Sequence, residues 1–281
     1  MASIGVGAGA GAVVGTAIES PAVNVRQRHS ARRLTAGQLG DLRRAIAAAQ
    51  ALPDPDERGY QHFAGIHGLP LPAYCTHDSP LFLPWHRAYL YFFERALQDL
   101  VPGVMVPWWD WTANVAAAEA IPAAYGDERD PDGQPNPLAA SPIQPGGQRP
   151  GGPAETARAP RLADAPPLPS SEWIDEILDL GDFLDFSEQL EQVHGGVHVW
   201  TGGTMRDIAN AAYDPIFWAH HAMVDRVWRL WQLGHPQASP PATLLARPLA
   251  PFPMTVADTL DVSLLGYDYA GSTAGAPMRP A

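Results

Sequence analysis

Three stretches of this sequence repeat their apolar residues with the 3.6-residue period of an α-helix, and each apolar face includes histidine. Asp214-Pro215, an N-cap residue followed by proline at the first helical position, is a strong start for one of them. The faces are Phe217, His221, Val224, Trp228 and Trp231; His86, Leu90, Phe93, Leu97 and Leu100, after Pro84; and Phe186, Leu190, His194 and His198. Because such faces must be buried against one another, they predict a mainly α fold built as a helix bundle.

The composition of the chain limits its partners. With 281 residues, of which 46% are hydrophobic and 17% charged, the chain is long enough to bury a sizeable core. A net charge of −12 argues against nucleic acid or an anionic membrane surface as a partner. No apolar run is long enough to span a bilayer. The single cysteine, Cys75, excludes an intrachain disulfide framework and a cysteine-rich metal cluster.

The chain divides into a short N-terminal segment, residues 1–25, and one domain, residues 26–281. The Gly/Ala-rich start is either the remnant of an export signal or a flexible terminus, so that secreted and cytoplasmic locations both remain open. Eleven of the thirty prolines fall between Pro131 and Pro169, which predicts a long irregular loop over residues 130–170. We expect little β-structure, with the segment 255–262 as the best strand candidate.

His194 and His198 are four residues apart, so their rings stand one above the other on a helix and can bind one ion. His220 and His221 compete for a third place beside them. His221 lies on the apolar face of its helix, whereas His220 points about a quarter turn away. We therefore choose His221.

A second set of three histidines precedes this one in the chain. His86 lies on the apolar face of its helix, His77 lies nine residues earlier in a loop, and His67 ends a short aromatic segment. Two imidazole sets without a carboxylate suit copper or zinc better than magnesium or calcium. The alternative is six unrelated core histidines bonded to backbone groups, but their convergence from separate apolar faces favours a metal centre.

Several motifs around these histidines resemble those of one family, the tyrosinases, catechol oxidases (polyphenol oxidases) and molluscan haemocyanins. Its first-copper region is resembled by Gly65-Ile66-His67-Gly68, Tyr74-Cys75-Thr76-His77 and Phe82-Leu83-Pro84-Trp85-His86-Arg87. Its second-copper region is resembled by His194 to His198, Gly202-Gly203-Thr204-Met205, Asp214 to His221 and Asp225-Arg226-Val227-Trp228. Val106 to Trp111 matches a further recurring stretch. The resemblance covers about residues 60–111 and 190–232, in the family's order and spacing.

The resemblance implies a four-helix bundle holding a type 3 dicopper centre, with O2 as co-substrate. The first copper ion would be bound by His67, His77 and His86, and the second by His194, His198 and His221. Cys75 stands two residues before His77, as in relatives in which that cysteine forms a thioether to the histidine ring. Asp225, one turn after His221, either orients a ligand ring or forms an ion pair with a neighbouring arginine.

The activity that this resemblance implies is oxidation of small phenolic substrates, o-diphenols, to o-quinones. In the family, monophenol hydroxylation is associated with an asparagine directly after the first histidine of the second site, together with a nearby glutamate. Gly195 occupies that position here, and Val199 follows His198 on the substrate side. Glu191 is either the glutamate that orders a water or a solvated carboxylate on a helix face.

Other functions remain as alternatives. Monophenol hydroxylation or o-aminophenol oxidation would use the same site, and a haemocyanin-like O2 carrier belongs to another class. A zinc hydrolase is disfavoured because no glutamate accompanies the histidines in a metalloprotease pattern.

The end of the chain carries one further motif of the family. Gly266-Tyr267-Asp268-Tyr269 resembles the Tyr-x-Tyr motif near the end of the catalytic domain, and twelve residues follow it. We therefore expect no C-terminal lid domain. Either this form is already processed, or its activity is restrained by a separate shielding protein or by the Pro-rich loop. A separate copper-delivery protein is a further candidate partner.

Overall fold

The structure, a computed structural model, describes residues 24–53, 55–70, 74–113, 116, 119–147 and 151–272. Its elements are β1 (Arg26–Arg28), α1 (Ala36–Ala51), α2 (Tyr60–His67), α3 (Phe82–Leu100), α4 (Ala123–Gly126), α5 (Ser171–Leu178), α6 (Phe183–Thr201), α7 (Ile216–Gly234) and β2 (Tyr267–Tyr269). The predicted N-terminal segment lies outside the described residues, apart from residues 24 and 25. No described helix is long and apolar enough to cross a membrane.

The mainly α fold and the histidine-bearing helix bundle are confirmed. Four helices, α2, α3, α6 and α7, direct histidines into a common core. Side-chain carboxylates start two of these helices: Asp182 accepts the Leu184 N–H at 2.8 Å, and Asp214 accepts the Ile216 N–H at 3.1 Å. These bonds satisfy backbone donors that have no partner within a helix.

Helix α7 is buried on all sides rather than along one face, since every residue from Ile216 to Trp228 is buried. On one side the Trp218 ring stacks on Phe93, with ring centroids 3.5 Å apart. On another side the segment after α3 lies against the helix, where the Trp109 N–H donates to the Ala219 carbonyl at 2.9 Å. Helix α7 is therefore the central helix of the core.

The predicted strand over residues 255–262 is wrong. The structure has a short 3-10 turn at Ala257–Thr259 and only an isolated bridge between Pro248 and Thr255. The turn has a local cause. The Asp258 carboxylate accepts hydrogen bonds from both the N–H and the hydroxyl of Thr255, each at 2.7 Å, and these bonds turn the chain. The described residues instead contain one parallel strand pair, β1 with β2, in the register Arg26 with Tyr267.

A buried ion network joins this strand pair to the helices. Its members are Arg28, Arg87, Glu94, Asp225, Tyr267 and Tyr269. Asp225 accepts hydrogen bonds from Arg87 at 2.5 Å and from Arg28 at 3.2 Å. Arg28 also makes a bidentate pair with Glu94, with both distances 3.0 Å. Of the two roles weighed for Asp225, the structure shows the ion pair, which links α3 to α7.

The described part of the Pro-rich segment 130–170 is largely irregular and is anchored to the bundle. Arg158 donates to Asp214 at the start of α7 through Nε at 2.9 Å, and both side chains are buried. Nearby, the backbone of Gly203 adopts a φ of +55°, and a Cβ there would lie 1.9 Å from the Ala157 carbonyl oxygen. Only glycine allows the segment to approach this closely.

Candidate metal centre

The first predicted histidine set comes together at one end of α2 and α3. The His77 ring centroid lies 5.6 Å from that of His67 and 5.3 Å from that of His86. The His67 and His86 centroids are 5.8 Å apart. Three residues from two helices and the segment between them therefore face a common point.

The second set assembles in the same way from α6 and α7. The His194 centroid is 4.6 Å from that of His198, one helical turn later, and 4.9 Å from that of His221. The His198 and His221 centroids are 5.7 Å apart. His220 also lies here, since one ligand atom from each of these four histidines falls within 4.8 Å of the others.

The two sets face each other. His86 stacks on His221 with centroids 4.6 Å apart and an interplanar angle of 9°. His77 stacks on His194 at 5.7 Å. The structure thus brings all six predicted residues into one cluster, although their assignment as ligands stays a prediction.

Backbone carbonyl groups fix the orientation of three of these rings. The Nδ1 atoms lie 3.2 Å from the Ile208 oxygen for His67, 2.8 Å from the Phe82 oxygen for His86, and 2.8 Å from the Met205 oxygen for His198. A carbonyl oxygen only accepts, so in each ring Nδ1 carries the proton and Nε2 keeps its lone pair. This arrangement is typical of metal-binding histidines.

The ring nitrogens that remain fit a metal. Nε2 of His67, of His86 and of His220 is buried without a hydrogen-bond partner, and so are both ring nitrogens of His194 and His221. Unpartnered buried polar atoms are costly, and a bound cation would remove that cost. The two candidate metal-binding groups found among the described residues contain no carboxylate, and neutral imidazole donors suit copper.

His220 differs from its neighbours in the direction of its hydrogen bond. The Trp111 Nε1–H donates to Nδ1 of His220 at 3.1 Å. An indole only donates, so a neutral His220 carries its proton on Nε2 and has no lone pair free for a metal. The choice of His221 as ligand, made from the position of its ring on the helix, is therefore supported by the tautomer of His220.

Burial keeps the clustered imidazoles neutral. Desolvation, followed by the charges of neighbouring histidines, lowers the pKa of His67, His86, His194, His220 and His221 well below the usual value. Burial also lowers the pKa of His198, to about 4. Neutral rings are the form that binds a metal ion, so the cluster is prepared for binding at neutral pH.

Cys75 lies within the first set. Its Sγ and one ring nitrogen each from His67 and His77 are all within 4.8 Å of one another. The thiol is half-buried, and burial raises its pKa to about 11. The two side chains of the predicted thioether are therefore neighbours.

The remaining predicted residues lie along α6. Gly195 and Val199 are half-buried, and a Cβ on Gly195 would meet no atom within 4 Å. Glu191 is half-buried, and its carboxylate accepts the backbone N–H of Asp78 at 2.8 Å. Burial raises the pKa of Glu191 to about 6. Sequence reasoning missed this contact and that of Trp111 with His220, because both join residues more than a hundred positions apart.

Comparison with known proteins agrees with this site. The model of the common central domain of tyrosinase matches residues 57–233, more than half of the chain. The tyrosinase of Streptomyces antibioticus is 36% identical over 185 residues, covering 58% of this chain and 66% of that protein. A hemocyanin (A-type, units Ode to Odg) of Enteroctopus dofleini is 31% identical over 280 residues, covering 86% of this chain and 21% of that protein.

A solved structure shows the same fold. A functional unit of octopus hemocyanin superimposes with a TM-score of 0.71 and 29% identity, covering 89% of this chain and 70% of that chain. The chain spans only part of the length of the curated relatives it matches, from 21% to 66% for the two above. The paired histidine sets and the matched domain fit a centre of two copper ions that uses O2, and the chain therefore belongs to the tyrosinase family of type 3 dicopper proteins.

Proposed function

We propose that this protein is a catechol oxidase that converts two o-diphenols and one O2 to two o-quinones and two waters. The observation that carries the proposal is the pair of facing three-histidine sets, whose unpartnered ring nitrogens are buried together. Bound copper ions would supply reversible one-electron chemistry and open coordination positions.

The chain's own residues hold and shield the centre. Backbone carbonyls fix the ring tautomers, so the ligands need no rearrangement on binding. Phe217 packs on His221 with centroids 4.1 Å apart, and Phe82 packs on His194 at 4.9 Å. These rings exclude water from the inner side of the cluster. Bound copper would lower the pKa of the diphenol hydroxyls, so this substrate would need no separate base from the protein.

Two features favour diphenols over monophenols. Gly195 offers no side chain at the position where monophenol-hydroxylating relatives have asparagine. In Glu191, the predicted candidate for ordering a water, one carboxylate oxygen is directed to the Asp78 N–H. Monophenol hydroxylation and o-aminophenol oxidation are the alternatives at the same site.

An oxygen carrier is the second candidate function, because the chain is 31% identical to a hemocyanin. The partial exposure of His77 and His198 supports access of a ring-sized substrate to the cluster and hence an enzyme. The test is to load the protein with copper, confirm two ions per chain, and measure oxygen uptake with catechol, tyrosine and o-aminophenol. Reversible O2 binding without catechol turnover would assign a carrier, and a fully loaded protein that does neither would refute both functions.

We further propose the thioether between Cys75 Sγ and a ring carbon of His77. Its formation removes the S–H and C–H hydrogens as two protons and two electrons, which would reduce one O2 to hydrogen peroxide. The proximity of the two side chains supports it. A tryptic peptide containing both residues should then be two hydrogens lighter after copper loading in air. An unchanged mass in a catalytically active sample would refute the crosslink alone.

A further inference from the structure

His77 is the only predicted ligand that lies outside a helix, in the segment between α2 and α3. The rings of His67, His86 and His198 are each held by a backbone carbonyl, but none of the described hydrogen bonds holds His77. On the solvent side its segment borders a cavity of about 480 Å³, so packing does not restrain it there. Ring packing and the proposed thioether would restrain the imidazole itself, and a contact on the turn after His77 would restrain the backbone that carries it.

Glu191 makes that contact. It lies on α6, three residues before His194, and its Oε1 accepts the N–H of Asp78, the residue directly after His77, at 2.8 Å. Burial raises the pKa of the Glu191 carboxyl to about 6, and the hydrogen bond from the Asp78 N–H opposes that rise. One side chain of the helix that carries the second histidine set therefore binds the loop that carries His77.

The bonded residue has an unfavourable backbone conformation. Asp78 has a φ of +50°, in the left-handed region that costs energy for any residue with a Cβ. From this turn the chain enters α3, where Ser79 accepts the Leu81 N–H through its hydroxyl and the Phe82 N–H through its carbonyl. A strained turn persists only where surrounding contacts stabilise it, and the Glu191 carboxylate provides such a contact.

We infer that Glu191 is a positioning residue whose carboxylate holds the turn at Asp78 and thereby fixes His77 against His194. The meaning of this contact for copper rests on the proposed function, but the contact itself does not require metal. Positioning His77 in this way is a different role from ordering a water for monophenol deprotonation.

The contact can be measured in the metal-free protein by hydrogen exchange of a peptide covering residues 74–80, where Pro80 contributes no amide. We expect E191A to exchange at Asp78 and Ser79 about tenfold faster or more, since hydrogen bonds to charged groups are among the stronger ones. E191Q keeps an accepting oxygen and should retain most of the protection. Glu188 is an exposed carboxylate one turn earlier on the same helix, so E188A is the matched control and should leave the exchange rates of these amides unchanged. Equal exchange in wild type and E191A would overturn the inference.

Copper retention after dialysis then tests the effect on His77. E191A should retain less than two copper ions per chain, and the double variant E191A/D78G should regain copper, because glycine adopts the left-handed turn without strain. A water-ordering role predicts the opposite pattern: full copper retention in E191A and no rescue by D78G. A wild-type protein that binds copper but does not oxidise catechol would refute the catechol oxidase proposal and leave the exchange result standing.

Discussion

Replacing Asp225 by asparagine should destabilise the protein severely. The carboxylate is almost fully buried and accepts four hydrogen bonds, from Arg28, Arg87, Tyr267 and Tyr269, at 2.5–3.2 Å. Arg28 would keep its bidentate pair with Glu94, whereas Arg87 would keep only neutral partners, Gln232 and the Thr259 carbonyl. Breaking a buried pair by removing one partner costs about 3–5 kcal/mol, and we expect D225N to fall in that range.

The assay is urea unfolding of the metal-free protein, followed by tryptophan fluorescence and circular dichroism. Asp268→Asn is the matched control, because Asp268 also pairs with an arginine from α7, Arg229, at 2.8 Å but remains about one-fifth exposed. A pair that keeps this contact with solvent should contribute less than the buried network, because water screens it and can replace a lost partner. If D225N lowers the free energy of unfolding no more than D268N, the reasoning that the buried network stabilises the fold is refuted.

Three further predictions concern the cluster. His221→Ala should leave one copper ion per chain, whereas His220→Gln should keep two; the reverse pattern would refute the tautomer argument. In the metal-free folded protein, burial lowers the pKa of the clustered histidines, and the pKa of His198 is about 4 instead of the usual 6.5. The unfolded chain therefore binds more protons, and the free energy of unfolding should decrease from pH 6.5 to pH 4, by up to about 1.4 kcal/mol per pH unit for each histidine. Urea midpoints that stay constant over this range would contradict it. The side chain of Gly195→Asn fits the open space beside α6, and this variant should raise the ratio of tyrosine hydroxylation to catechol oxidation several-fold. Gly196→Asn is the control. An unchanged ratio in Gly195→Asn would show that the missing asparagine does not limit tyrosine hydroxylation.

The features that the sequence predicted correctly are those carried by short stretches. Asp214-Pro215 and the apolar face after it indicated α7, because a helix start and a helical period are local properties. The histidine sets followed from their place on such faces and from motifs of a few residues. The choice of His221 over His220 also rested on local geometry, the angle between successive residues on a helix, and it stays a prediction.

The features that it did not predict depend on contacts between distant residues or on side-chain geometry. The pairing of β1 with β2 joins three-residue strands from far ends of the described chain, and no periodicity shows in so short a segment. Residues 255–262, wrongly predicted as a strand, include residue types that favour strands, but the Asp258 side chain accepts the hydrogen bond of the Thr255 N–H, which a strand would have used for pairing. The carbonyls of Ile208 and Met205, which fix two of the rings, carry no sequence signal because every residue has a carbonyl.

The parallel pairing of β1 with β2 has a consequence for how the connectivity of this chain can be changed. Arg26 lies beside Tyr267 and Arg28 beside Tyr269, so the two strands enter and leave the fold side by side. Because three strand residues span roughly 10 Å, a short flexible linker of about five residues would join the end of β2 to the start of β1. A circularly permuted protein opened in the Pro-rich segment should then still fold, because none of the residues of the buried arginine network belongs to that segment.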